Sequence, residues 1–85
     1  MITPKDIQVV IEEVDFRRAL FGATGKFQRE FQQRCEELGE VICREMNITK
    51  EEALTLPPED PLPQGVEKHF NEFKEWLIKQ HALGK

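Results

Sequence analysis

Residues 55 to 66 read TLPPEDPLPQGV, and this stretch constrains the fold more than any other. Four of the chain's five prolines fall within seven residues, and a glycine follows at once. A proline nitrogen cannot donate to a helix ladder, and its ring drives the preceding residue out of the helical region, so no regular element crosses residues 57–63. The stretch suits a connection that stops one helix and turns the chain back into an antiparallel one. Pro58-Glu59-Asp60-Pro61 also fits P-x-x-P, the pattern of a polyproline strip that docks on another protein. Glu59 and Asp60 weigh against that use, because grooves for such strips commonly want a basic flank. The bend is the reading adopted here.

On either side of the bend the apolar residues recur at helical spacing. Thr3-Pro4-Lys5-Asp6 has the form of a helix start, with Thr3 as N-cap, Pro4 at the first position and Asp6 reaching back to the cap; Gly22 is the stop. This predicts helix 1 over residues 4–21. The β-branched run Ile7-Gln8-Val9-Val10-Ile11 also suits a strand, but no second strand exists to pair with it. Thr24 or Gly25 opens helix 2, residues 25–46, through Phe27, Phe31, Leu38, Val41 and Ile42. Asn47 supplies the left-handed residue at its end. Thr49 and Glu52 form a second capping box for a short helix over 50–56, which Pro57 and Pro58 end. After the connection 57–65, Val66, Phe70, Phe73 and Leu77 predict a last helix over 66–83, with Gly84 as its stop. The expected fold is therefore a single all-α domain over residues 1–85, a small three- to four-helix bundle.

A chain of 85 residues buries only about 60 to 65 per cent of its unfolded surface, so its stability is marginal and a partner or second copy is a natural supplement. A net charge of −4 spread over mixed charges, with no basic run, disfavours nucleic acid and anionic lipid as partners. Val9-Val10-Ile11 is the longest aliphatic run, far short of a membrane span, and residues 1–20 lack a signal-peptide layout. A soluble, cytoplasmic chain is expected. Cys35 and Cys43, eight residues apart on one helix, stand about 12 Å apart by helical rise and are read as reduced thiols.

The helix faces carry the functional argument. At 100° per residue, Ile7, Val10, Ile11, Val14 and Phe21 form one stripe on helix 1, while Val9, Phe16 and Leu20 cluster opposite. A helix apolar on two sides is sandwiched centrally, breaks near Asp15, or presents its second face to another protein. On helix 2, Cys35, Gly39 and Cys43 form a row of small residues that allows close helix approach. Arg34 falls within the apolar stripe, where its stem is expected on Phe31 and Leu38 and its guanidinium near Glu30 or Glu37. On helix 4, His69, Trp76 and Leu83 repeat every seven residues beside the core stripe. Trp76 serves there either as the edge of the core or as an interface anchor.

Catalytic readings find little support. There is no nucleophile and base constellation, no phosphate loop and no paired metal-ligand spacing, and His69 and His81 lie about 120° apart around helix 4. No catalytic residue, metal, cofactor or small-molecule ligand is assigned. Glu36-Glu37-Leu38-Gly39-Glu40, with Glu72 and Glu75, resembles the facing E-x-x-E pairs with which MazG-type pyrophosphohydrolases hold magnesium. It lacks the aspartate of that family's second motif, and we read these glutamates as a solvated face.

Residues 40–56, EVICREMNITKEEALTL, have the outline of a helix-turn-helix with Ala53 and Leu54 facing in, and a DNA-binding regulator is the alternative function. Its reading helix begins Lys50-Glu51-Glu52, a poor approach to phosphates. The expectation is a non-enzymatic interaction module that binds another protein or itself, with Val9, Phe16, Leu20, Gly39, Cys43, His69, Trp76 and Leu83 as interface residues.

Overall fold

The computed structural model describes residues 1–22 and 25–83. Four helices follow one another, α1 (Pro4–Phe21), α2 (Gly25–Met46), α3 (Lys50–Leu54) and α4 (Gln64–Lys79), in a small all-α bundle. Residues 7–11 are helical, and no strand occurs among the described residues. Thr24, Gly84 and the side chain of Phe21 lie outside them.

Local chemistry sets the boundaries. At the start of α1 the amide of Asp6 donates to Thr3 Oγ1 at 3.4 Å and the amide of Thr3 donates to Asp6 Oδ2 at 2.9 Å, the reciprocal capping box. Ile2 before the cap and Ile7 in the following turn are both buried, the arrangement of a hydrophobic staple. At the end of α2, Asn47 takes φ 54°, and the Ile48 amide closes back on the Cys43 carbonyl at 3.0 Å, the longer bond of a Schellman ending. Thr49 and Glu52 cap α3 as expected, with bonds of 3.1 Å in both directions.

Two boundaries differ from expectation. The short helix stops at Leu54, where Thr55 turns and its hydroxyl donates to the Glu52 carbonyl at 2.9 Å. Leu54, expected to face in, is 87% exposed, while Ala53 is half-buried. With little more than one turn of helix, the segment cannot turn both Ala53 and Leu54 toward α2. The last helix is also displaced. It begins at Gln64, because Pro63 at φ −58° presets the first turn, and it ends at Lys79. There His81, at φ 58°, takes the left-handed position, and the Ala82 amide reaches the Leu77 carbonyl at 3.0 Å. Leu83 therefore lies beyond α4, and the seven-residue series from His69 through Trp76 does not extend to it as helix.

The proline-rich connection does more than turn the chain. The Leu62 amide donates to the Ile2 carbonyl at 2.8 Å, and the Lys5 amide, one of the unpaired donors at the start of α1, donates to the Pro58 carbonyl at 3.0 Å. Leu62 and Ile2 are both buried beside these bonds. Residues 58–62 thus clasp the first turn of α1 to the start of α4.

Contacts fix the helix directions. Glu45 lies over Gly65, Phe31 meets Phe73 and Phe27 meets Trp76, so α2 and α4 run antiparallel. The start of α1 lies at the start of α4, where the Met1 amino group stands 3.4 Å from Glu67 Oε1. Arg18, near the end of α1, reaches the Phe31 ring in the first half of α2. α1 therefore runs with α4 and against α2. Val14, Leu38, Val66, Phe70 and Leu77 fill the centre of this arrangement with essentially no exposure. The long axis of the molecule, 36 Å, is close to the length of α2, about 33 Å for its 22 residues.

Candidate functional site

The inner stripe of α1 is committed to the core, with Ile7 and Val14 buried and Val10 and Ile11 packed against them. The outer stripe is not. Val9, Phe16 and Leu20 are 52%, 64% and 60% exposed, so α1 is neither broken at Asp15 nor sandwiched between other helices of the chain. These three residues lie within about 40° of one another around the helix and extend over about 16 Å of its length. Removing Phe16 alone from water is worth about 2 kcal/mol.

Charges border this apolar stripe in a definite order. Glu13 lies on its edge and forms an ion pair with Arg17 one turn later, Oε1 to Nη2 at 3.4 Å. Toward the inner side, Arg18 Nη1 contacts Asp15 Oδ1 at 3.0 Å. Between Val9 and Leu20 the exposed face thus carries Glu12 and Glu13 first and Arg17 after them.

The other candidates fare differently. Trp76 belongs to an aromatic ladder between α2 and α4. Its ring centre is 5.5 Å from that of Phe27, with planes 2° apart, and 6.4 Å from that of Phe73; Phe31 continues the ladder from Phe73 at 6.0 Å. Leu83 is packed against the core. His69 is half-buried in a shallow groove between α2 and α4, beside Arg44, Glu45, Lys68 and Glu72. Gly39 borders open space, since a Cβ built on it meets nothing within 4 Å. The row Cys35, Gly39, Cys43 therefore makes no close helix contact at its centre within the chain. Arg34 departs from expectation. Its guanidinium lies 4.4 Å above the Trp76 ring and not against Glu30 or Glu37, because the aromatic face of α4 is within its reach.

Between α1 and α2, Cys35 is half-buried beside Asp15 and Arg18. Burial pushes its thiol up from 9.0 to about 11; the Asp15 carboxylate adds to the rise and Arg18 opposes it. The thiol is protonated at neutral pH and is a poor nucleophile. Arg18 was not singled out by the periodicity argument, although its position on the inner side of α1 is a readable signal. Its guanidinium lies 5.7 Å from the Phe31 ring, and its Nε is buried without a hydrogen-bond partner.

Glu36, Glu37, Glu40, Glu72 and Glu75 are all exposed. Among the described residues, no three His, Cys, Asp or Glu side chains are grouped to hold a metal ion. No helix among them is long and apolar enough to cross a membrane. No family model matches the chain, and no curated protein or solved structure matches it either.

Proposed function

We propose that this chain is a small, non-enzymatic protein-interaction module of the cytoplasm, acting as an adaptor, accessory subunit or inhibitor, and that the outer face of α1 is its docking surface. The observation that carries the reading is the exposure of Val9, Phe16 and Leu20 as one stripe on a helix whose other side is already core. An aromatic ring between two aliphatic side chains on a rigid helix is the kind of surface into which a partner helix packs. Trp76 is better understood as core edge than as anchor, because α2 already covers it with Phe27 and Arg34.

The helix-turn-helix reading draws less support. α3 has five residues, about 7.5 Å of helix, and two of its first three side chains are glutamates. The test is the double substitution Val9→Glu with Phe16→Glu. The expected product keeps its helical content and unfolds within about 0.5 kcal/mol of the parent, as surface changes do. A photo-reactive group placed at Leu20 cross-links to polypeptide in the parent and not in the double variant. An unfolded double variant defeats the reading, since the stripe would then be needed for the fold.

A further inference from the structure

The charges bordering the α1 stripe specify what covers it. We propose that the occupant is a second copy of this chain, with the two α1 helices packed antiparallel about a two-fold axis level with Val14 and Asp15. The inference rests on the reading of the α1 face given above and adds the identity of the partner.

The stripe is self-complementary only when reversed. Val9 and Leu20 are equidistant from a point between residues 14 and 15, so in the antiparallel pair each Val9 meets the partner's Leu20. Phe16 then lies beside the partner's Phe16 across the axis, displaced by one turn or less, a spacing at which rings stack. In antiparallel helices the same flank of each helix comes together. Glu13 and Arg17 occupy one flank, and reversal about residue 15 places Glu13 of each copy opposite Arg17 of the other, forming two symmetric ion pairs. Glu12, on the opposite flank, falls beside the partner's Ala19. A parallel pair fails on the same charges, because it sets Glu12 and Glu13 of one copy level with Glu12 and Glu13 of the other. The arrangement also makes use of the order of charges between Val9 and Leu20, with Glu12 and Glu13 ahead of Arg17, on the one face of α1 that the core does not use.

The apolar patch spans roughly 300 Å² per copy, less than half of a standard interface, so the dimer is weak and its population rises with concentration. Light scattering and sedimentation equilibrium of the whole chain, between about 10 µM and 1 mM with reductant, should show the mass climbing from 10.0 kDa toward twice that value. Glu13→Arg alone and Arg17→Glu alone each replace both ion pairs with like-charge contacts and should weaken association about tenfold while leaving the helical signal intact. Mixing the two single variants in equal amounts restores opposite charges at both contacts, so the mixture should dimerise where neither component does.

A parent that stays at 10.0 kDa throughout overturns the second copy as occupant. The α1 docking face survives that result if the Val9→Glu, Phe16→Glu variant folds, and it falls if that variant unfolds. A mixture no heavier than its separate components overturns the antiparallel pairing.

Discussion

Arg34 holds its guanidinium carbon 4.4 Å from the centre of the Trp76 ring, and Phe27, seven residues earlier on the same helix, lies parallel to that ring at 5.5 Å. The two turns between them match the reach of one indole, so a single residue of α4 is held by both a ring and a cation of α2. Trp76→Ala should cost about 3 kcal/mol and Arg34→Ala about 0.5 to 1 kcal/mol, with Arg34→Lys between Arg34→Ala and the parent. Urea unfolding followed by tryptophan fluorescence in the Arg34 variants, and by circular dichroism in Trp76→Ala, measures each. A cost below 1 kcal/mol for Trp76→Ala would return this residue to the surface.

The clasp predicts a contrast between two leucines eight positions apart. Leu62 is 3% exposed and bonded through its backbone to Ile2, whereas Leu54 is 87% exposed. Leu62→Ala should destabilise by about 2 to 4 kcal/mol and Leu54→Ala by less than about 0.5 kcal/mol, read from denaturation midpoints at unchanged slope.

The thiol of Cys35 gives a pH dependence with a definite sign. Its folded-state pKa, about 11, exceeds the ordinary 9.0, so the unfolded chain loses this proton first as pH rises. The contribution to stability is intact below pH 9 and is lost between pH 9 and about 11. Melting temperature should fall through that window, and Cys35→Ala should flatten the fall. At pH 8 only about one Cys35 in a thousand is thiolate, so alkylation should be far slower than for a model thiol. Equal rates would remove the burial argument.

His81 sits at φ 58°, where a side chain crowds its own backbone. His81→Gly should raise stability by roughly 0.5 to 1 kcal/mol, because glycine adopts the left-handed ending of α4 without that crowding. A loss of stability would mean that the imidazole makes a contact worth more than the strain.

Most of the architecture was legible because short-range chemistry decides it. The two threonine capping boxes and Asn47 fall where the sequence placed them, since each depends on residues within one turn. The core stripes followed from period alone. Three features were not readable by the same means. α4 ends at Lys79 with His81 as its left-handed stop, because a histidine is a weaker stop signal in sequence than the glycine three residues on. Arg34 chose Trp76 over nearby glutamates, a choice that depends on how α2 and α4 align. Leu62 looked like loop and proved to be core, because its burial depends on a long-range backbone bond to Ile2 that local pattern does not reveal.

The backbone bond between Leu62 and Ile2 joins positions far apart in the chain. α2, α3 and α4 are successive in the chain and α2 contacts both of the others directly, so they have the means to assemble before α1 is added. The first turn of α1 has to wait for the connection that follows α3 before its own amides are satisfied. α1 should therefore dock last and loosen first, and its amides should exchange with deuterium ahead of those of α2 and α4. The helix that offers the free surface is thus also the one whose attachment to the body is the most readily surrendered.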